Sequence, residues 1–128
     1  MREAVKWYGI RNVSEPQVFR AFEDGEDERL RHTIRYHSPD GFEFGYGGSG
    51  PSDLSLNILA DYAGWEGAWS WRSGQTPEEA GLPDWLWRLH NPFKFTFLAN
   101  DRTGFEVTRD QITAWLREQG IEFDMVGV

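Results

Sequence analysis

The run Gly45-Tyr46-Gly47-Gly48-Ser49-Gly50, followed by Pro51 and Ser52, carries the spacing with the most chemistry in this chain. Gly45 and Gly50 stand as far apart as the glycines of a phosphate-cradling G-x-x-x-x-G loop, and Ser52 fills that loop's final hydroxyl position. Pro51 occupies the place of the lysine. The cation that holds terminal phosphates is therefore missing, and a nucleoside triphosphatase is disfavoured. Ser49 does not make a serine-hydrolase elbow, because G-x-S-x-G would need glycine at position 51. A dinucleotide G-x-G-x-x-G fails at Ser52. What remains rests on backbone physics: amides of Gly47, Gly48, Ser49 and Gly50 at a helix start attract an anion. Tyr46 would stack on a base, Ser49 or Ser52 would add a hydroxyl, and Arg11, Arg31 or Arg35 would bring positive charge. The same glycines also serve a tight strand-to-helix turn, and both readings stay open.

His37 has a side chain suited to acid–base work near neutral pH, and it would near the loop if the strands on either side of Ser38-Pro39-Asp40-Gly41 formed a hairpin. With Asp40 it gives a hydrolase reading that ranks last, because no nucleophile, base and orienting group can be assembled from sequence. His32 shares an apolar face with Leu30 and Ile34, and His90 sits at a helix end. No two histidines have a metal-ligand spacing, and nothing calls for a metal or cofactor. Glu23-Asp24-Gly25-Glu26-Asp27-Glu28 does not match a calcium loop. It is either a solvated hairpin tip or a surface that engages a basic protein through Asp24, Glu26 and Asp27. Trp69 and Trp71, in polar surroundings, are candidates for the same partner surface.

The chain that must position these groups has 128 residues, 21 Asp+Glu against 13 Lys+Arg, and a formal net charge of −8. That charge argues against direct nucleic-acid binding, which needs cations for phosphates. Seven Trp, nine Phe and four Tyr suffice for one core, and the absence of cysteine excludes disulfides and thiol chemistry. No apolar run approaches the ~18–20 residues that span a membrane, so the expected setting is cytoplasmic and the expected organisation one domain over residues 1–128.

Alternation predicts strands over residues 4–10, 17–22 and 29–37, the last with Leu30, His32, Ile34 and Tyr36 on one side. Residues 42–46 would add a fourth. Pro51 as a first helical residue predicts an amphipathic helix over residues 51–63, with Asp53 complementing its positive end. Thr76-Pro77-Glu78-Glu79 resembles a short helix start. Residues 84–90 read as helix, and residues 93–97 fit either a strand or a helix face, with Pro92 opposing an unbroken helix. Residues 105–107 read as a strand, and Thr108 with Gln111 as a capping box opening the last helix. Strands first and helices after give an α+β fold: a three- to four-stranded antiparallel sheet packed on two or three helices.

The stretch from His37 to Leu54 resembles the signature of a small domain family of unknown function found in bacteriophages and bacteria, G-[YW]-G-G-S-G-P-[AS]-D-L-A-L. Tyr8-Gly9-Ile10-Arg11 is similar to that family's N-terminal Y-x-G-x-R segment, one residue short. Phe93-Lys94 and Trp115-Leu116 are similar to its later F-K and W-L segments. Relative to shorter members, residues 65–82 look like a Trp-rich insertion. The resemblance implies no reaction and no catalytic residues; it implies a phage or mobile-element setting. The function expected is a non-catalytic protein that holds a small anionic, nucleotide-like ligand at the glycine loop. The alternative is an acidic inhibitor or adaptor that binds a host or defence protein.

Overall fold

A computed structural model of the chain describes residues 3–12, 15–37 and 41–122. Strands β1 (Lys6–Asn12), β2 (Glu15–Ala21), β3 (Glu28–Arg29) and β6 (Gly104–Thr108) form an antiparallel sheet in the order β3-β2-β1-β6. Trp7 lies opposite Arg20 on one side and Val107 on the other, so the alternating Trp7, Val18 and Val107 reach one core face. Gly9 is required by packing: a Cβ there would lie 2.5 Å from the Phe105 ring and 2.7 Å from the Phe44 ring. Those two rings meet edge to face across the strand.

Three helices complete the α+β fold: α1 (Ser49–Ala63), α2 (Asp84–Phe93) and α3 (Arg109–Glu118). Among the described residues no helix is long and apolar enough to cross a membrane. The capping box at α3 forms as expected, with Gln111 N donating to Thr108 Oγ1 at 3.1 Å and Thr108 N to Gln111 Oε1 at 2.8 Å. The same reciprocal pair forms between Thr76 and Glu79, but there it closes a turn instead of opening a helix. Pro92 does not end α2. The chain continues into a π-helical turn, Lys94–Leu98, in which Thr96 Oγ1 donates to Pro92 O and Ala99 N to Lys94 O. Phe93 and Phe97 both pack on Trp115.

Four expectations need correction. Residues 29–37 are not one strand: only β4 (Ile34–Arg35) is regular, pairing in parallel with β5 (Trp69–Ser70) in a separate two-stranded sheet. Residues 42–46 form no strand, and the fourth strand of the main sheet is β6 instead; Ser38, Pro39 and Asp40 lie outside the described residues. Helix α1 begins two residues early, placing Pro51 third. Nor is it amphipathic: every residue from Gly50 to Ala60 is buried, including Ser52, Asp53, Ser55 and Asn57. A helix covered all round belongs at the centre of a fold. Its polar side chains must then find partners inside the protein.

Candidate functional site

The glycine loop is set by its first member. Gly45 has φ +88°, its amide donates to Leu98 O at 2.7 Å, and a Cβ would stand 2.4 Å from the Arg102 backbone. Only glycine fits that position. From there the chain turns into α1, with Gly48 at the N-cap and no side chain capping the helix. Among the described residues, none of the amides of Gly47, Gly48, Ser49 and Gly50 meets an acceptor. The first amides of a helix have no partner within it. Ser49 is exposed and Gly50 is packed against the Glu43 side chain.

Two aromatic rings flank this turn at the surface: Tyr46, 42 % exposed, and Phe95, 58 % exposed. A Cβ on Gly48 would strike the Tyr46 ring, and one on Gly47 would lie 3.0 Å from the Phe95 ring. Beside Tyr46 and Gly50 opens a cleft of about 360 Å³ that is also lined by Phe42, Glu43, Glu15 and Arg29.

The cation missing from the loop's own sequence arrives from the π-helical turn. Lys94, 5 % exposed, places Nζ 3.2 Å from Gly47 O and 2.9 Å from Ser52 Oγ, with the Phe95 ring centroid 4.4 Å away. Among the described residues no carboxylate lies within ion-pair distance of it. Burial lowers its pKa from the ordinary lysine value. Sequence reasoning missed both Lys94 and Phe95. The only signal was the Phe93-Lys94 similarity, which says nothing about where the amine points.

The other proposed cations are used elsewhere. Arg11 Nη2 donates to Glu43 Oε1 at 2.8 Å and Arg11 Nε to Arg102 O at 2.7 Å, so the residue braces the segment that leads into the loop. The pairing raises the Arg11 pKa and lowers that of Glu43. Arg31 and Arg35 line a separate open groove of about 640 Å³ with Trp69, Ser70 and Ser73.

Asp53 does not serve the helix dipole. Its Oδ1 accepts the backbone N–H of His37 at 2.7 Å and of Tyr36 at 3.3 Å. His37 is drawn to α2 and not to the loop: its Nε2 lies 3.1 Å from His90 Nε2, and His90 Nδ1 bonds to Trp87 O. Burial pushes the His37 pKa down and that of His90 down to about 4. Among the described residues no group of three or more His, Asp or Glu side chains could hold a metal ion.

The partner-surface candidates divide. Asp24, Glu26 and Asp27 are exposed, with Asp27 accepting the Tyr8 hydroxyl. Trp71 is 53 % exposed, beneath the Arg72 guanidinium. Trp69 is 2 % exposed, stacks on Tyr36 and donates its indole N–H to Gln75 O, so it packs in the core.

No curated protein and no solved structure matches the chain. One family model does, over residues 8–73, a span that holds Arg11, the glycine loop and all of α1 but stops short of His90 and Lys94. The chain belongs to that family, DUF6166, a family of unknown function.

Proposed function

We propose that this protein binds a small phosphate-bearing, nucleotide-like anion where the glycine loop meets α1. The observation that carries this reading is uncompensated positive charge. Lys94 is buried and, among the described residues, has no carboxylate partner; it lies beside the positive end of a 15-residue helix whose leading amides meet no acceptor among those residues. Buried cations are almost always paired, and a helix N-terminus favours negative charge. An anion satisfies both at once. The exposed Tyr46 and Phe95 rings on either side supply surfaces for a planar base. The ligand also counteracts the burial that lowers the Lys94 pKa, so binding takes up a proton at alkaline pH and weakens as pH rises.

Pyrophosphate and ADP at concentrations well above Kd are expected to raise the melting temperature by several degrees, since a hundredfold excess over Kd contributes about 2.7 kcal/mol. Lys94→Met should remove most of that rise for both ligands. Gly48→Val, whose Cβ displaces the Tyr46 ring, should weaken ADP more than pyrophosphate. A melting curve that stays put for the folded wild-type protein with millimolar phosphate, pyrophosphate and ADP would sink the reading.

A further inference from the structure

A second chemistry is assembled in the first turns of α1, and it does not depend on the anion reading. Ser52 is the fourth residue of the helix, and its side chain leans back toward the N-terminus, as helical side chains do. Its hydroxyl oxygen lies 2.9 Å from Lys94 Nζ, 3.1 Å from Gly48 O and 3.2 Å from Asn91 Oδ1. A serine in a helix often does no more than bond back to the carbonyl four residues earlier. Here the amine is the nearest of the three. The neighbouring turn carries the amides of Gly48, Ser49 and Gly50, which meet no acceptor among the described residues.

We propose that Ser52 is a nucleophile and Lys94 its general base, acting on an ester or thioester. A nucleophile, an amine 2.9 Å from it that takes its proton once neutral, and N–H donors that meet no acceptor among the described residues are parts that acyl transfer uses. Lys94 also has the surroundings a lysine base needs. Among the described residues no carboxylate holds its charge, and burial favours the neutral amine. Ser52 and Lys94 are each at most 5 % exposed. Gly47 and Gly48 supply the carbonyls that both groups touch, and these two residues have no side chains of their own.

The steps balance. Neutral Lys94 takes the Ser52 proton as Oγ bonds to the acyl carbon, and the carbonyl electron pair moves onto oxygen, facing the free amides. Collapse breaks the bond to the leaving alcohol or thiol, which takes the proton from the Lys94 ammonium. Water then attacks the acyl-serine and gives a proton to Lys94, and Ser52 Oγ leaves and recovers that proton. The net reaction is ester plus water to acid plus alcohol.

A fluorophosphonate probe tests the proposal, because Ser52 Oγ would displace fluoride and leave a mass adduct on one peptide. Wild-type protein should be labelled at Ser52, with a rate that rises with pH and levels off below the ordinary lysine range. Ser52→Ala should show no adduct. Lys94→Arg keeps the positive charge but cannot act as base, so labelling should fall ~100-fold or more. Should arginine prove too large for the site, Lys94→Met, unbranched and apolar, must show the same loss while circular dichroism confirms the fold. Folded wild-type protein that stays unlabelled at millimolar probe overturns the proposal, and so does equal labelling without Lys94. The pyrophosphate shift is read on the same samples. Labelling without a shift removes only the anion reading, and a shift without labelling removes only the nucleophile.

Discussion

Asn57→Leu is expected to lower the unfolding free energy by about 4 kcal/mol, because one buried amide takes the place of a second strand on the side of residues 33–34 that β5 does not cover. Asn57 Oδ1 accepts Thr33 N at 2.9 Å and Ile34 N at 3.1 Å, and Nδ2 donates to Ile34 O at 3.0 Å and Asp53 O at 2.8 Å. Leucine is close in volume, so the cost is not a cavity. It is the stranding of backbone groups around a fully buried Ile34, at ~1–3 kcal/mol for each unsatisfied group. Thr33→Val removes only the 3.2 Å hydroxyl contact to the same oxygen and should cost less than about 1 kcal/mol. Urea unfolding with an unchanged m-value measures both. Equal losses in the two variants would show that Asn57 does not dock this segment.

That docking also shows where the sequence stopped being legible. The alternation over residues 29–37 correctly marks an extended segment with Ile34 inside and Arg35 outside. It carries no information about what accepts the segment's backbone hydrogen bonds. Two side chains one helical turn apart, Asp53 and Asn57, take that role, and a lone Asp or Asn in a helical pattern reads as solvent-facing. The capping box at Thr108 and Gln111 was legible because its partners are three residues apart. The start of α1 was legible to within two residues from the Gly-Ser-Gly-Pro run. Residues 105–107 were legible as a strand, but nothing in the sequence said that β6, which follows α1 and α2 in the chain, takes the edge of β1. At the candidate site the glycines, Tyr46 and Ser52 were visible as a local string. Lys94 enters from 42 residues away through a π-helical turn that no periodicity announces. Arg11 lies near the loop, where Glu43 neutralises it and the Arg102 and Phe44 carbonyls hold it.

The histidine pair predicts the second large effect. Unfolding stability should fall by roughly 3 kcal/mol as pH drops from 7 to about 4, with most of the loss inside that window. His90 Nδ1 donates to Trp87 O, which leaves Nε2 as an acceptor for the Nε2–H of His37 at 3.1 Å. One proton suits the contact, and a second would set two N–H groups against each other in a buried place. Burial above all, with the facing His37 adding to it, pushes the His90 pKa down to about 4, against about 6.5 unfolded. Between those values the unfolded chain binds the extra proton and the folded chain does not, so stability is full above pH 6.5 and is lost as pH falls toward 4. His37, also lowered by burial, acts in the same direction. Glu43 is held below the ordinary carboxylate range by Arg11, so its contribution is lost at lower pH than most of the histidine effect. Urea titrations of wild type and His90→Gln at pH 7, 5.5 and 4.5 separate the two. The variant should start less stable yet show a much flatter dependence, because glutamine has no proton to gain. A wild-type profile already flat across that interval would mean that His90 is protonated in the fold, and that the 3.1 Å contact is not the neutral donor–acceptor pair its geometry requires.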